Sequence, residues 1–229
     1  MPEKKQYHIV INHLQVLSKK DAEQYASEMM DNPYSDERGW GYADVMRTGN
    51  VINATLQKRI PTYYSIWNEE DQLLERQLVQ IVKEIPFEID FGKHLLLAEG
   101  TNTQLNHVKQ SFRQVFWNEF VYEDINLLPV DYINLLTESY QLSSIGELTI
   151  NDFQYEGCLI GRYTAKPTNQ LDMLNKIGDH ARNIIRVKLK VTVNNEECLL
   201  SVSNRNVLVL ESSDDAKEAL VNYLKAKLN

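Results

Sequence analysis

The chain has 229 residues, of which 43% are hydrophobic and 24% are charged, and these values are typical of a folded globular protein rather than of a disordered or collagen-like one. Its formal net charge of −8 disfavours attraction of the whole molecule to nucleic acid or to an anionic membrane. No uncharged stretch approaches the ~18 apolar residues of a membrane span, and the first residues lack the apolar run of a signal peptide. We therefore expect a soluble, cytoplasmic protein with no membrane partner.

The two cysteines, Cys158 and Cys198, are too few for a disulfide scaffold or for a zinc site of four thiolates. Both lie in apolar segments with the composition of strands. They are predicted to be buried, reduced thiols, which agrees with a cytoplasmic location.

Residues 1–125 are predicted to form an N-terminal α+β lobe. Residues 7–17 are rich in β-branched side chains and predict a strand, after which Ser18 is expected to cap a helix. Residues 31–50 contain a proline and three glycines without a sustained period. This segment predicts a long loop, or a loop with one short strand.

The alternation that begins at Val51 predicts a strand with one apolar face, which continues to Trp67. Asn68 and the acids that follow it suit the first turn of a helix. The buried stripe of this helix is predicted to consist of Leu74, Leu78, Ile81 and Val82. A strand pair at 87–97 and a helix that begins at Thr101 complete the lobe.

Residues 126–229 are predicted to form a C-terminal α+β lobe. In chain order it contains a helix from Pro129, strands at 145–163, a helix from Thr168, a strand at 184–193, strands at 198–202 and 207–210, and a helix from Ser213. Asn194 and Asn195 predict a tight turn after the strand at 184–193.

The recurring order of two strands and a helix predicts an α+β fold, with a hairpin-rich, mainly antiparallel sheet covered by about six helices. No linker rich in Pro, Gly or Ser separates the two lobes. One continuous domain therefore stays open as an alternative to two.

The common catalytic signatures are missing from the sequence. It contains no glycine-rich phosphate loop, no G-x-S-x-G elbow and no H-E-x-x-H, and its five histidines lack the helical spacing at which two rings bind one metal. We therefore predict no catalytic residue, no metal site and no cofactor. A site that combines distant acids such as Asp90, Glu99 or Asp179, in a metal-dependent phosphodiester-cleaving enzyme, is left open.

Aromatic and basic residues cluster in the segment 31–50. Trp, Tyr and Arg dominate the energetics of protein interfaces, and long loops often carry binding sites. The predicted partner-binding residues are Tyr34, Arg38, Trp40, Tyr42 and Arg47. The alternative is that Trp40 and Tyr42 pack back onto the body of the protein.

The strand at 184–193 predicts a second surface, because period two places its cations on one face and its apolar residues on the other. The predicted nucleic-acid-binding residues are Arg182, Arg186, Lys188, Lys190 and Arg205, which could contact phosphate groups. The alternative is a solvated outer face whose lysines discourage edge pairing.

Three functions follow, in order of preference. The first is a non-catalytic interaction or regulatory protein that acts with a protein partner in a cytoplasmic assembly, through the segment 31–50. The second is a nucleic-acid-binding protein that uses the basic strand, and the third is the metal-dependent enzyme. A homo-oligomer is compatible with each of them, and no motif identifies a family.

Overall fold

The computed structural model describes residues 4–69, 72–155, 159–166, 181–205 and 207–228. Within these residues, eleven strands form one sheet: β1 (Lys5–Val16), β2 (Trp40–Thr48), β3 (Val51–Asn68), β4 (Leu73–Asp90), β5 (Leu95–Glu99), β6 (Phe120–Asp124), β7 (Gln141–Tyr155), β8 (Leu159–Ala165), β9 (Ile184–Val193), β10 (Glu196–Ser203) and β11 (Val207–Ser212). The helices of these residues are α1 (Ala22–Met30), α2 (Asn102–Phe116), α3 (Asp131–Thr137), α4 (Asp214–Lys227) and a short 3-10 helix (Ala181–Asn183).

The paired strands of the sheet are antiparallel, in the order β2-β3-β4-β5-β1-β11-β10-β9-β7-β8. The first strand of the chain lies at the centre. It pairs with β5 along one side, and with β11 and then β6 along the other. β1 therefore joins the strands of the N-terminal half to those of the C-terminal half.

The central strands are buried on both faces, because helices cover opposite faces of the two halves of the sheet. Ile9 and Ile11 of β1 belong to a C-terminal core that includes α3 and α4. Val10 and Leu14 belong to an N-terminal core that includes α1 and α2. Successive side chains of a strand point to opposite faces, so one strand supplies both cores.

Local signals in the sequence account for the ends of several helices. Thr101 and Ser213 are the N-caps of α2 and α4, as predicted, and the side-chain oxygen of each accepts a hydrogen bond from a backbone N–H of the first turn. The N-cap of α1 is Asp21, in a capping box, and the helix therefore begins after the start predicted at Ser18.

The predicted fold class is wrong in its balance of helices and strands. Among the described residues, strands account for 55% and helices for 24%, and these residues contain four α-helices where about six were predicted. The fold is dominated by its antiparallel sheet. The helix predicted from Asn68 is instead the strand β4, and the helix predicted from Thr168 lies outside the described residues.

Residues 73–90 form a strand where a helix was predicted, and the spacing of their apolar residues is consistent with the period of either structure. Leu74, Leu78 and Val82 recur every four residues, which places them on one face of a strand as well as on one side of a helix. All 18 residues of β4 pair with the 18 residues of β3. This pairing satisfies backbone groups that a helix would otherwise satisfy internally.

Three further observations complete the fold. The segment 31–50 is a loop only as far as Gly39, after which β2 forms. Cys198 is a free, buried thiol whose pKa burial raises to about 11, while Cys158 lies outside the described residues. The helices of the described residues all fall short of the length and apolar character that crossing a membrane requires.

Candidate interaction surface

Strands β3 and β4 extend well beyond their neighbours in the sheet. β2 accompanies β3 only as far as Lys58, and β5 accompanies β4 only from Phe87 onward. Beyond these points, residues 59–68 pair with 73–82 and, among the described strands, with no other. We call these ten residue pairs the arm. At the usual rise of a strand, the arm is about 33 Å long.

One face of the arm exposes five large apolar side chains, and we call it the Tyr63 face. These five are Tyr63, Trp67, Leu74, Leu78 and Val82, whose exposed fractions range from 48% to 67%. The strand register places five further residues on this face: Arg59, Pro61, Ser65, Arg76 and Gln80. Tyr63 lies opposite Leu78 and Trp67 opposite Leu74 in the strand register. Directly opposed side chains are close enough to form a continuous surface.

The other face, the Tyr64 face, is more covered. Its exposed apolar residues are Tyr64, Ile66 and Leu73, while Ile60, Val79 and Ile81 are half-buried. This face continues the side of β3 that supplies Ile52 and Leu56 to the N-terminal core. The Tyr63 face continues the opposite side of the sheet, where β3 carries the polar residues Asn53 and Gln57.

The charges of the arm differ between its two faces. Lys58 and Lys83, where the arm leaves the sheet, and Glu75, near the tip, lie on the Tyr64 face. The carboxylate of Glu75 accepts a hydrogen bond from the Asn68 side chain at 2.8 Å. The charged residues of the Tyr63 face are Arg59 at the base and Arg76 nearer the tip, and Glu84 continues this face toward the sheet.

The loop that precedes β2 supports the base of the arm. The backbone N–H of Arg59 donates to the Gly39 carbonyl at 2.7 Å, and the Arg59 guanidinium contacts the Asp36 carboxylate at 2.5 Å and the Tyr34 hydroxyl at 3.3 Å. The Arg38 guanidinium lies 5.2 Å from the centre of the Trp40 ring. The contacts of Arg59 attach this loop to the chain's own arm.

The remaining predicted loop residues also contact the body of the protein. Trp40 is half-buried and packs edge-on against Tyr42, which is 3% exposed. The Tyr42 hydroxyl donates to Ser111 on α2 at 3.0 Å, and burial raises the Tyr42 pKa. Arg47 lies farther along β2, where its guanidinium contacts the Glu23 carboxylate at 3.3 Å. Tyr42 therefore cannot reach a partner in this conformation.

The predicted basic surface is partly neutralised by acids on the neighbouring strands. Lys188 of β9 pairs with Glu147 of β7, and Lys190 pairs with Glu197 of β10, both at 3.0 Å. The Arg186 side chain donates to the Ser201 hydroxyl at 2.8 Å. Along most of β9, this face therefore carries both positive and negative charges rather than positive charges alone.

Three of the predicted arginines share one end of the strands β9 and β10. Arg182 is exposed in the 3-10 helix that leads into β9, and Arg205 is exposed in the turn that follows β10. Arg186 lies opposite Ser203 in the same region. The structure thus places these three at one end of the two strands, with Arg186 next to Lys188 on the same face of β9.

The acids named for a metal-dependent site do not converge. Asp90 lies at the end of β4, where its carboxylate accepts a hydrogen bond from the Lys93 backbone at 3.0 Å. Glu99 lies at the far end of β5, where it pairs with Lys217 of α4. Asp179 lies outside the described residues, and among the described ones no group of three His, Cys, Asp or Glu could hold a metal ion.

The sequence did not indicate the arm, although a signal for it existed. The residues Val79, Ile81 and Val82 are β-branched and favour a strand over the predicted helix. No model of a protein family matches the chain, and no curated protein is similar enough in sequence to count as a relative. The functional proposal therefore rests on the geometry of the arm.

Proposed function

We propose that this protein is a non-catalytic interaction protein of a cytoplasmic assembly, and that the Tyr63 face of the arm is its main contact surface. The observation that carries the proposal is the exposure of five large apolar side chains on one face of a projecting hairpin. The preference for an interaction protein is the same as at the sequence level. The surface is different, because the residues of the segment 34–42 contact their own chain.

The physical argument starts from the cost of exposing such a hairpin. A two-stranded ribbon is at best marginally stable in water unless another layer covers it. The Tyr63 face presents on the order of 600 Å² of apolar side-chain surface, which is the upper end of the patches found on monomeric proteins and often marks an interaction site. A partner that covers this face would stabilise both the ribbon and the complex.

The Tyr63 face carries an exposed cation near the tip. Arg76 lies between Leu74 and Leu78 on this face, opposite Ser65 in the strand register, whereas Glu75 lies on the Tyr64 face. A protein surface that is apolar and places an acidic or polar group opposite Arg76 fits the Tyr63 face.

The proposal is tested by purifying the full-length protein, with an affinity tag, from the cells that make it. The double variant Trp67→Thr/Leu74→Thr keeps residues that favour strands but removes the apolar centre of the face. We expect partner affinity to fall by at least about 30-fold, the effect of losing one interface hot spot.

The matched control for this experiment is Trp117→Asn. Trp117 is 79% exposed and lies outside the arm, and its φ of 55° suits asparagine. It should retain every partner. If the arm variant also retains every partner, while Trp40→Ala loses them, the contact surface is the segment 31–50 and not the arm.

A second candidate function, nucleic-acid binding, is favoured by the three arginines at one end of β9 and β10. Binding through Arg182, Arg186 and Arg205 predicts an affinity that falls steeply with salt. The variant Arg182→Glu/Arg186→Glu/Arg205→Glu should reduce this salt dependence, whereas Lys188→Glu/Lys190→Glu should have less effect because acids already pair with these lysines. Absence of DNA and RNA binding at low salt would remove this candidate.

A further inference from the structure

A cavity of about 500 Å³ lies between α2 and the central strand β1, on the side of the sheet that carries the N-terminal core. β1 pairs with β11 as far as Val10 and with β6 from Asn12 onward. β11 begins and β6 ends at this junction, so neither strand continues across it. We call this space the seam cavity. Its volume is within the range of small-molecule sites, and its lining includes no residue of the arm.

Lys109 of α2 brings a positive charge to the lining of the seam cavity. Its side chain is half-buried, and its ammonium lies 5.0 Å from the centre of the Tyr122 ring. Apart from this ring, the ammonium has neither an ion pair nor a hydrogen bond among the described residues. Burial lowers the Lys109 pKa below its ordinary value of 10.5, because the charged form has lost part of its hydration. An anion in the cavity would supply the acceptor that this ammonium lacks.

Asn12 of β1 supplies a neutral contact in the same lining. Its side chain is 2% exposed, and its amide nitrogen donates to the Glu123 carbonyl at 3.1 Å and to the Asp124 carboxylate at 2.8 Å. These two bonds fix the orientation of the amide. The remaining atom, Oδ1, receives no hydrogen bond from the described residues and is not sealed from solvent. An amide oxygen only accepts hydrogen bonds, so a ligand would have to donate to it from a hydroxyl or an N–H group.

The rest of the lining is apolar on the inside and polar at the opening. Leu105 and Ile125 are at most 5% exposed, whereas Arg205 is exposed. Four further asparagines also line the cavity, and their amides suit hydroxyl and amino groups. Lys109 and Arg205 outweigh Asp124, which is the one acid among the described lining residues. The cavity therefore favours a small, negatively charged molecule with several hydrogen-bonding groups.

We infer that the seam cavity binds a small phosphate ester, whose phosphate group contacts the Lys109 ammonium and whose hydroxyl or amino group donates to Asn12 Oδ1. A phosphate monoester carries a charge of about −1.5 to −2 at neutral pH, which suits two cations better than the single charge of a carboxylate does. Lysine binds phosphate as a point charge, without the planar geometry that arginine imposes. This site lies outside the Tyr63 face and adds a ligand to the proposed interaction protein.

The first test titrates the full-length protein with three phosphate esters: ribose 5-phosphate, glucose 6-phosphate and adenosine monophosphate. Isothermal calorimetry measures their binding, and ribose and gluconate serve as the uncharged and the carboxylate comparisons. At one hundred times its dissociation constant, a bound ester should raise the unfolding temperature by roughly 5–10 °C. If none of the three esters binds at millimolar concentration, the inference is overturned. Binding of gluconate without any phosphate ester overturns it as well.

The second test changes the charges of the lining one at a time. Lys109→Gln should weaken the ester that binds best by at least about 10-fold, the effect of losing a charged hydrogen bond. Asp124→Asn removes the acid but keeps an oxygen that can accept from Asn12, and it should tighten binding by roughly 2- to 5-fold. Lys19→Gln, which removes an exposed lysine far from α2 in sequence, is the matched control and should bind as the wild type does. Unchanged affinity in Lys109→Gln overturns the inference.

The third test separates a ligand contact from a structural role of Lys109. Lys109→Met retains an unbranched side chain and removes the charge, so without ligand its unfolding temperature should equal or exceed that of the wild type. A clear fall would show that the charge stabilises the fold, and the inference would be overturned. Trp67→Thr/Leu74→Thr leaves the seam cavity intact and should bind the ester normally. Loss of protein partners in that variant and loss of the ester in Lys109→Gln are therefore independent outcomes.

Discussion

Strand β5 and the part of β4 in the arm both carry large apolar residues, but their surroundings are opposite. Residues 95–98 of β5 are at most 6% exposed, whereas Leu74 and Leu78 of β4 are 67% and 51% exposed. β5 has the N-terminal core on one face and the C-terminal core on the other. The comparison shows that apolar residues of this sheet form the interior where helices cover the strand that carries them.

The largest expected effect is a difference in the free energy of unfolding between substitutions in these two strands. Leu96→Ala in β5 should lower the free energy of unfolding by about 2–5 kcal/mol, because it leaves a cavity in the N-terminal core. Leu74→Ala in the arm should lower it by less than about 0.5 kcal/mol. Urea unfolding at low protein concentration measures both. Equal losses would mean that the arm is covered within its own chain.

The next effect concerns the loop at the base of the arm. A Cβ atom at Gly41 would overlap the backbone of Pro33 and Tyr34, so Gly41→Ala should cost about 1–3 kcal/mol. Gly161→Ala, where an added Cβ meets open space, is the control. Hydrogen exchange at the Arg59 amide should rise in the first variant, since this amide donates to the loop. If the two variants are equally stable, the loop does not support the arm.

A smaller loss of stability is expected at Tyr42, whose side chain connects β2 to α2. Tyr42→Phe removes a buried hydroxyl that bonds to Ser111 and should cost about 1 kcal/mol, measured by thermal unfolding. Tyr64→Phe on the exposed arm should leave stability unchanged. If Tyr42→Phe altered partner binding and not stability, Tyr42 would belong to the contact surface after all.

The smallest expected effect on stability depends on pH and involves Glu196, in the body of the protein. The backbone N–H and the hydroxyl of Ser213 donate to the Glu196 carboxylate, and these hydrogen bonds lower the Glu196 pKa from its ordinary value of 4.5. A lowered carboxylate pKa contributes stability above pH 4.5, and this contribution is lost as the pH falls through the folded-state value.

The variant Glu196→Gln should therefore show a flatter loss of stability in acid than the wild type, measured by urea unfolding between pH 6 and roughly pH 3. Glu37→Gln, at an exposed loop position, should keep the slope of the wild type. An unchanged slope in Glu196→Gln would show that this carboxylate does not connect β10 to α4 in solution.

Much of the local structure could be predicted from short segments. The helix starts at Thr101 and Ser213 depend on a side chain and the next few amides. The turn at Asn194 and Asn195 depends on two residues that tolerate positive φ, and their angles are 51° and 63°. The alternation that identifies β9 is likewise a property of consecutive residues. Such signals need no knowledge of the rest of the chain.

The candidate site could not be predicted in the same way. The composition of the segment 31–50 predicted a binding loop. The Tyr42 hydroxyl instead donates a hydrogen bond to Ser111 of α2, which lies 69 positions away in the sequence. Lys188 and Lys190 are paired with acids from two other strands. In the arm, a spacing of four residues is consistent with both a helix and a strand. Each of these outcomes depends on partners that are distant in sequence.

The sequence by itself determined the mainly antiparallel character of the sheet, the caps of α2 and α4 and the acidity of the molecule. Tertiary structure alone decided that 73–90 is a strand, that β1 and β5 are buried on both faces and that the Tyr63 face is left uncovered. The physical reason is that caps, turns and alternation are set by neighbouring residues, whereas strand pairing and burial depend on which distant segments meet.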